Sequence, residues 1–154
     1  MYAVTVWGLL FVLPILSIVA EVMSRGPSAF GPELIGKWFV FWAVGVRLFL
    51  AGLVQVLRPQ YTARRILGIA GDESLVVVRE LGFANTSLGV IGLGSTLAPG
   101  WTLPAALGGA LFYGLAGINH TGRTSRNTLE SVATITDLLI AGILLIFFIM
   151  ATAR

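Results

Sequence analysis

The chain has 154 residues, 56% of them hydrophobic and only 11% charged, against the ~25% charged residues of a soluble domain. So few polar groups cannot cover a water-facing surface, which excludes an ordinary soluble domain and makes lipid the expected solvent. The net charge is +3 and the basic residues are scattered through loops and helix ends, which excludes a nucleic-acid footprint. The absence of cysteine excludes disulfides, thiolate metal sites and thiol redox chemistry by the chain itself.

Five apolar runs have the length of a membrane-spanning helix, about 17–25 residues. The first is expected at about Ala3–Val22, with Pro14 inside it removing a backbone bond and kinking the helix. This segment reads as a retained helix rather than a signal peptide. No Lys or Arg precedes the apolar run, the run exceeds the usual ~7–15 residues, and "IVAEVMS" offers no small-residue cleavage site. The loop "SRGPSAFGPELIG" follows, punctuated by proline and glycine. The second helix is expected at about Lys37–Leu57. A polar connection, "RPQYTARRILGIAGDES", comes next, with a short interfacial helix expected around Tyr61–Ile69.

The third helix is expected at about Leu75–Leu97, and "APG" then makes a tight turn. The fourth runs from about Trp101 to Ile118, with Pro104 in its first turn, where proline is tolerated. "NHTGRTSRNTLE" forms a second polar loop, and the fifth helix runs from about Ser131 to Ala151. The fold class is therefore all-α, a polytopic integral membrane bundle of five transmembrane helices in one domain. Trp38, Phe39, Trp42 and Trp101 gather near helix ends and suit interfacial anchoring.

With the N-terminus inside, the cytoplasmic loops carry Arg58, Arg64, Arg65, Arg123 and Arg126, and the outer side carries Arg25, Lys37 and Arg154. This excess on one face predicts a cytoplasmic N-terminus and an outward C-terminus. Small residues recur along the helices: Gly45 and Gly52, Gly82 and Gly89, and Ala106, Ala110 and Gly114. Such spacing lets backbones approach closely in lipid, either within one bundle or between copies of the chain.

Arg47 falls midway along the second helix, ~15 Å from either end at ~1.5 Å per residue. Insertion scales put arginine at that depth at about +2.5 to +3.5 kcal/mol, so a bundle interior with a partner is the expected solution. Asp137 is the first candidate partner and Glu80 the second. Glu130, Thr134 and Asp137 share one face of the fifth helix, and Tyr113 and His120 share one face of the fourth, with Asn119 adjoining. The topology brings Glu80, Asn85, Asn119, His120, Glu130 and Asp137 to the inner half of the bundle. The expectation is a polar pocket there, with Arg47 as its floor.

Plainer readings stand beside this one. An Arg–Asp pair fixes helix register without any ligand, and Arg47 also suits a subunit contact. His120 reads as an interfacial loop histidine, Glu80 as a helix-end charge beside Arg79, and Glu130 as a surface pair with Arg126 at i,i+4. The glycosylation patterns at Asn85 and Asn119 read as chance. One histidine with scattered carboxylates predicts no metal site, and no phosphate loop, nucleophile elbow or dinucleotide fingerprint is present.

"VRLFLAGLVQVL" resembles the first core helix of the DoxX-like family of small bacterial membrane proteins, in which an arginine precedes a glycine-leucine-x-lysine stretch. Arg47, Gly52 and Leu53 match, and Gln55 stands at the lysine position. "RELGFANTSLGVIGLG", with Glu80 as its acidic start, resembles the second core helix. "LPAALGGALFYGLAGINH" and "TDLLIAGILLIFF" resemble the third and fourth. The resemblance, to this family or to a membrane family similar to it, covers about Gly36–Met150. It implies a four-helix core with the first helix added, a bacterial inner-membrane location, and accessory roles in redox stress beside partner proteins. The absent lysine and cysteines weigh against direct redox chemistry.

Three functions are open to such a chain, and an enzyme is the least favoured among them. One is a binding or accessory protein whose pocket holds a lipid, quinone or similar amphipath, with Arg47 at its polar head. The second is a structural subunit docking in a larger membrane complex or homo-oligomer through its small-residue faces. The third is a transporter or membrane enzyme using Glu80, His120 and Asp137 for proton transfer.

Overall fold

A computed structural model describes residues 2–122 and 128–153. Arg123, Arg126 and Arg154, which enter the orientation argument, lie outside them. Among the described residues the secondary structure is entirely helical. Five helices are long and apolar enough to cross a membrane: α1 (Ala3–Arg25), α2 (Pro32–Leu57), α3 (Glu73–Gly94), α4 (Pro99–Thr121) and α5 (Thr128–Thr152). The architecture is that of a multi-pass membrane protein.

The helix ends follow local chemistry. At α1, Gly26 takes φ 89° and its N–H closes onto the Val22 carbonyl at 2.8 Å, the left-handed stop that glycine adopts without steric cost. α2 begins at Pro32 rather than Lys37. Proline suits the first helical position because its missing N–H would be unpaired there anyway. α4 opens with a tight 3₁₀ turn, Pro99–Trp101. The connection after α2 holds one wide π turn, Tyr61–Ile66, where a short interfacial helix was expected.

Two long helices carry π segments. In α1 it spans Gly8–Val12, directly before Pro14. The proline ring crowds the carbonyl of the preceding turn, and widening that turn relieves the crowding. In α2 it spans Val40–Arg47, so Arg47 closes the widened stretch.

α2 is the centre of the bundle. Its buried Val40, Ala43, Val44 and Leu48 meet Leu10 of α1, Ala106 and Ala110 of α4, and Ile140 and Leu144 of α5 in one core. The closest pairings are α2 with α3 and α4 with α5. In α2 and α3 the glycines face each other. A Cβ at Gly89 would lie 2.5 Å from the Phe49 nitrogen, and one at Gly92 would lie 2.5 Å from the Gly45 nitrogen. The spacing read from the sequence thus serves backbone contact inside the chain. Gly117 of α4 makes room for the Leu138 side chain of α5.

At one end of the bundle, α1 is tied to α2 by polar contacts. The Glu21 carboxylate accepts from Lys37 at 2.6 Å, Arg25 at 2.6 Å and the Trp38 indole at 2.9 Å. One turn further in, the Trp42 indole donates to Ser17 at 2.9 Å. Trp38 and Trp42 therefore face α1, and Phe39 is buried in the core. Of the four expected anchors, Trp101 is exposed.

Candidate functional site

At the opposite end, the starts of α1, α3 and α5 meet the ends of α2 and α4 around a cavity of about 480 Å³. The volume falls in the range of small-molecule pockets, about 300–1,000 Å³. All five helices and the Tyr61–Ile66 turn line it.

Each polar side chain reaches the cavity through its helix register. Arg47 and Gln55 of α2 are eight residues apart, which returns them to one side of the helix; both line the cavity, as does Arg58 just past the helix end. Asn85 enters from α3, Tyr113 and His120 from α4, and Asp137 from α5. Arg47, Asn85 and Asp137 are the deepest lining residues of α2, α3 and α5, counted from the end where Arg58, Tyr61 and His120 stand. This sets Arg47 at the floor, as the sequence led us to expect.

The floor is underfilled in hydrogen-bonding terms. Asn85, 3% exposed, donates to the Gln55 carbonyl at 2.7 Å, while its own Oδ1 has no partner. Arg47 Nε is buried and also has none. Asp137 is buried and faces the same space, within electrostatic reach of Arg47. The two form no direct ion pair and Asp137 accepts no hydrogen bond among the described residues. Buried polar groups are nearly always paired in folded proteins, yet Arg47 and Asn85, which both line the cavity, each carry a buried polar atom without a partner.

The wall has its own polar structure. The Tyr113 hydroxyl donates to the Ala43 carbonyl at 2.5 Å, which lies inside the π segment of α2. His120 Nδ1 sits 3.1 Å from Glu130 Oε1, and Glu130 is 2% exposed. Two expectations are corrected here. His120 belongs to the last turn of α4 rather than to a loop. Glu130 is buried against α4 rather than on a surface; its expected partner Arg126 lies outside the described residues. Thr134 and Asp137 share the buried face with it, as the spacing requires.

Glu130 contacts His120 but does not itself line the cavity, and two other expected site residues are not brought in at all. Glu80 is on the exposed face of α3, and Asn119 is on the exposed face of α4; neither lines the cavity. Five residues separate Glu80 from Asn85, a rotation of ~140° at ~100° per residue, so the two cannot share a face. Glu80 is therefore no partner for Arg47. Conversely, Gln55, Arg58 and Tyr61 line the site without having been expected as site residues. The helical period from Arg47 to Gln55 was the available signal.

Among the described residues no three His, Asp or Glu side chains gather as a metal site. The family comparison decides what kind of chain this is. Residues 2–154 match the family described as "Family of unknown function (DUF6790)". The chain belongs to the DUF6790 family. No curated protein and no solved structure matches this DUF6790 chain significantly.

Proposed function

We propose that this protein is a binding or accessory membrane protein whose cavity holds one amphipathic molecule of the lipid or quinone type. Its polar end meets Arg47 and Asn85, and its apolar part lies along Leu48, Leu50 and Val54. The observation that carries the reading is that Arg47 and Asn85, each holding a buried polar atom without a partner, line one cavity of about 480 Å³. An arginine near the bilayer centre is costly, and a ligand oxygen would supply the bond that the chain itself leaves unmade.

The reading includes a bacterial inner-membrane location with the N-terminus cytoplasmic, which puts the cavity in the cytoplasmic half. Support comes from Arg58, Arg64 and Arg65 on that side. We retain the DoxX-like kinship as a proposal that rests on Arg47, Gly52 and Leu53. A structural subunit is less favoured, because the small-residue faces it would need are filled by α2–α3 and α4–α5 contacts.

Native mass spectrometry of the gently detergent-extracted protein tests the proposal. The expected spectrum shows one small-molecule adduct per chain, lost in Arg47→Leu and kept in Arg64→Leu. A wild-type spectrum holding only the bare chain overturns it.

A further inference from the structure

The cavity has a side door. Leu50 and Val54 line it and are nevertheless 45% and 39% exposed. They lie one and two turns from Arg47 on α2, at membrane depth rather than at the mouth. Thr5, Val6 and Leu9 of α1 line the cavity as well, and Thr5 is exposed. An opening with apolar jambs between two membrane helices admits molecules dissolved in the bilayer and disfavours water-borne solutes.

The floor specifies the head group. Arg47 at the bottom and Arg58 toward the mouth place two cations on the lining against the single carboxylate of Asp137, which favours an anion. Arg47 Nε asks for an acceptor. Asn85 Oδ1 and Asp137 ask for donors, which a bare carboxylate or phosphate diester does not carry. One head group satisfying all three carries an anionic oxygen and two hydroxyls. A cavity of about 480 Å³ gives room for that head group and part of one chain.

Resting on the amphipath-binding reading above, we infer that the occupant is a single-chain anionic lipid whose head group also bears two hydroxyls, entering sideways between α1 and α2. Its anionic oxygen meets Arg47, one hydroxyl donates to Asn85 and the other to Asp137, and its chain leaves past Leu50 and Val54 into the bilayer.

The test uses the delipidated full chain in detergent and four probes: palmitoyl-lysophosphatidylglycerol, palmitoyl-lysophosphatidylcholine, monopalmitoylglycerol and glycerol 3-phosphate. The first is expected to raise Tm by about 8 °C at roughly one hundred times its Kd. The other three are expected to bind at least about tenfold more weakly, as loss of a charge-assisted contact implies. Arg47→Gln is expected to weaken the first probe by about 10- to 100-fold. Should that variant fold poorly, Arg58→Gln, at an exposed position, is expected to weaken it several-fold, with Arg64→Gln as the unchanged control. Equal binding of the phosphocholine or neutral probe overturns the head-group inference and leaves amphipath binding standing. Equal binding of glycerol 3-phosphate makes the site one for soluble anions and overturns lateral entry. If no probe binds although the native protein carries an adduct, the inference falls alone; if the native protein carries none, both readings fall together.

Discussion

Single residues in this chain divide by whether they face inward at a level where water is absent. Glu21 ties α1 to α2 through three donors at 2.6, 2.6 and 2.9 Å. Lys37 and Arg25 are substantially exposed, so each ion pair is worth little alone, and the shared acceptor matters more than either cation. Glu21→Ala is expected to cost about 1–2 kcal/mol, read as a lower unfolding midpoint in detergent, with Lys37→Met costing less. Asn85 and Gln55 form a buried amide pair. Asn85→Leu leaves Gln55 unpaired and is expected to cost about 1–3 kcal/mol, whereas the double variant with Gln55→Leu should recover much of that. Additive losses in this double-mutant cycle would show that the amides do not interact.

Elements were legible to different degrees, and the differences have physical causes. Long apolar runs mark spanning helices because length and hydrophobicity are what the bilayer selects, and all five are present. The ends were less visible. α2 starts at Pro32, outside the apolar run, because capping chemistry and not hydropathy sets where a helix begins. The π segments at Gly8–Val12 and Val40–Arg47 left no signal beyond Pro14, since one extra residue per turn changes no composition. Azimuth was read incompletely: Glu80 and Asn85 were both expected in the inner half of the bundle, but they stand ~7.5 Å apart along α3 and point apart. The glycines of α2 and α3 give the element-scale test. Gly89→Ala puts a Cβ 2.5 Å from the Phe49 backbone nitrogen and is expected to cost about 2–3 kcal/mol. Gly142→Ala, with nothing within 4 Å, is expected to be neutral or to stabilise by about 0.5 kcal/mol. Matching midpoints for the two variants would contradict the α2–α3 backbone contact.

The whole molecule is asymmetric between its two ends. One end is closed by the Glu21 cluster, and the other opens into the cavity. An odd number of spanning helices sets the chain ends on opposite sides of the membrane. A reporter at the C-terminus is expected to read outside, with one at the N-terminus reading cytoplasmic; the reverse pattern would place the cavity in the outer half. Arg47, Asn85, Tyr113, His120 and Asp137 were each anticipated at the site, because ionisable and amide groups at membrane depth need partners and the antiparallel order brings their ends together. A polar pocket among them was expected; its size and full lining were not legible, since the space left by five helices depends on their tilts and on the widened turns. The most direct measurement is an experimental structure of the protein in lipid nanodiscs. An elongated density is expected with its head between Arg47 and Asn85 and its tail passing Leu50 and Val54. An empty cavity closed by a direct Arg47–Asp137 bridge would contradict the account.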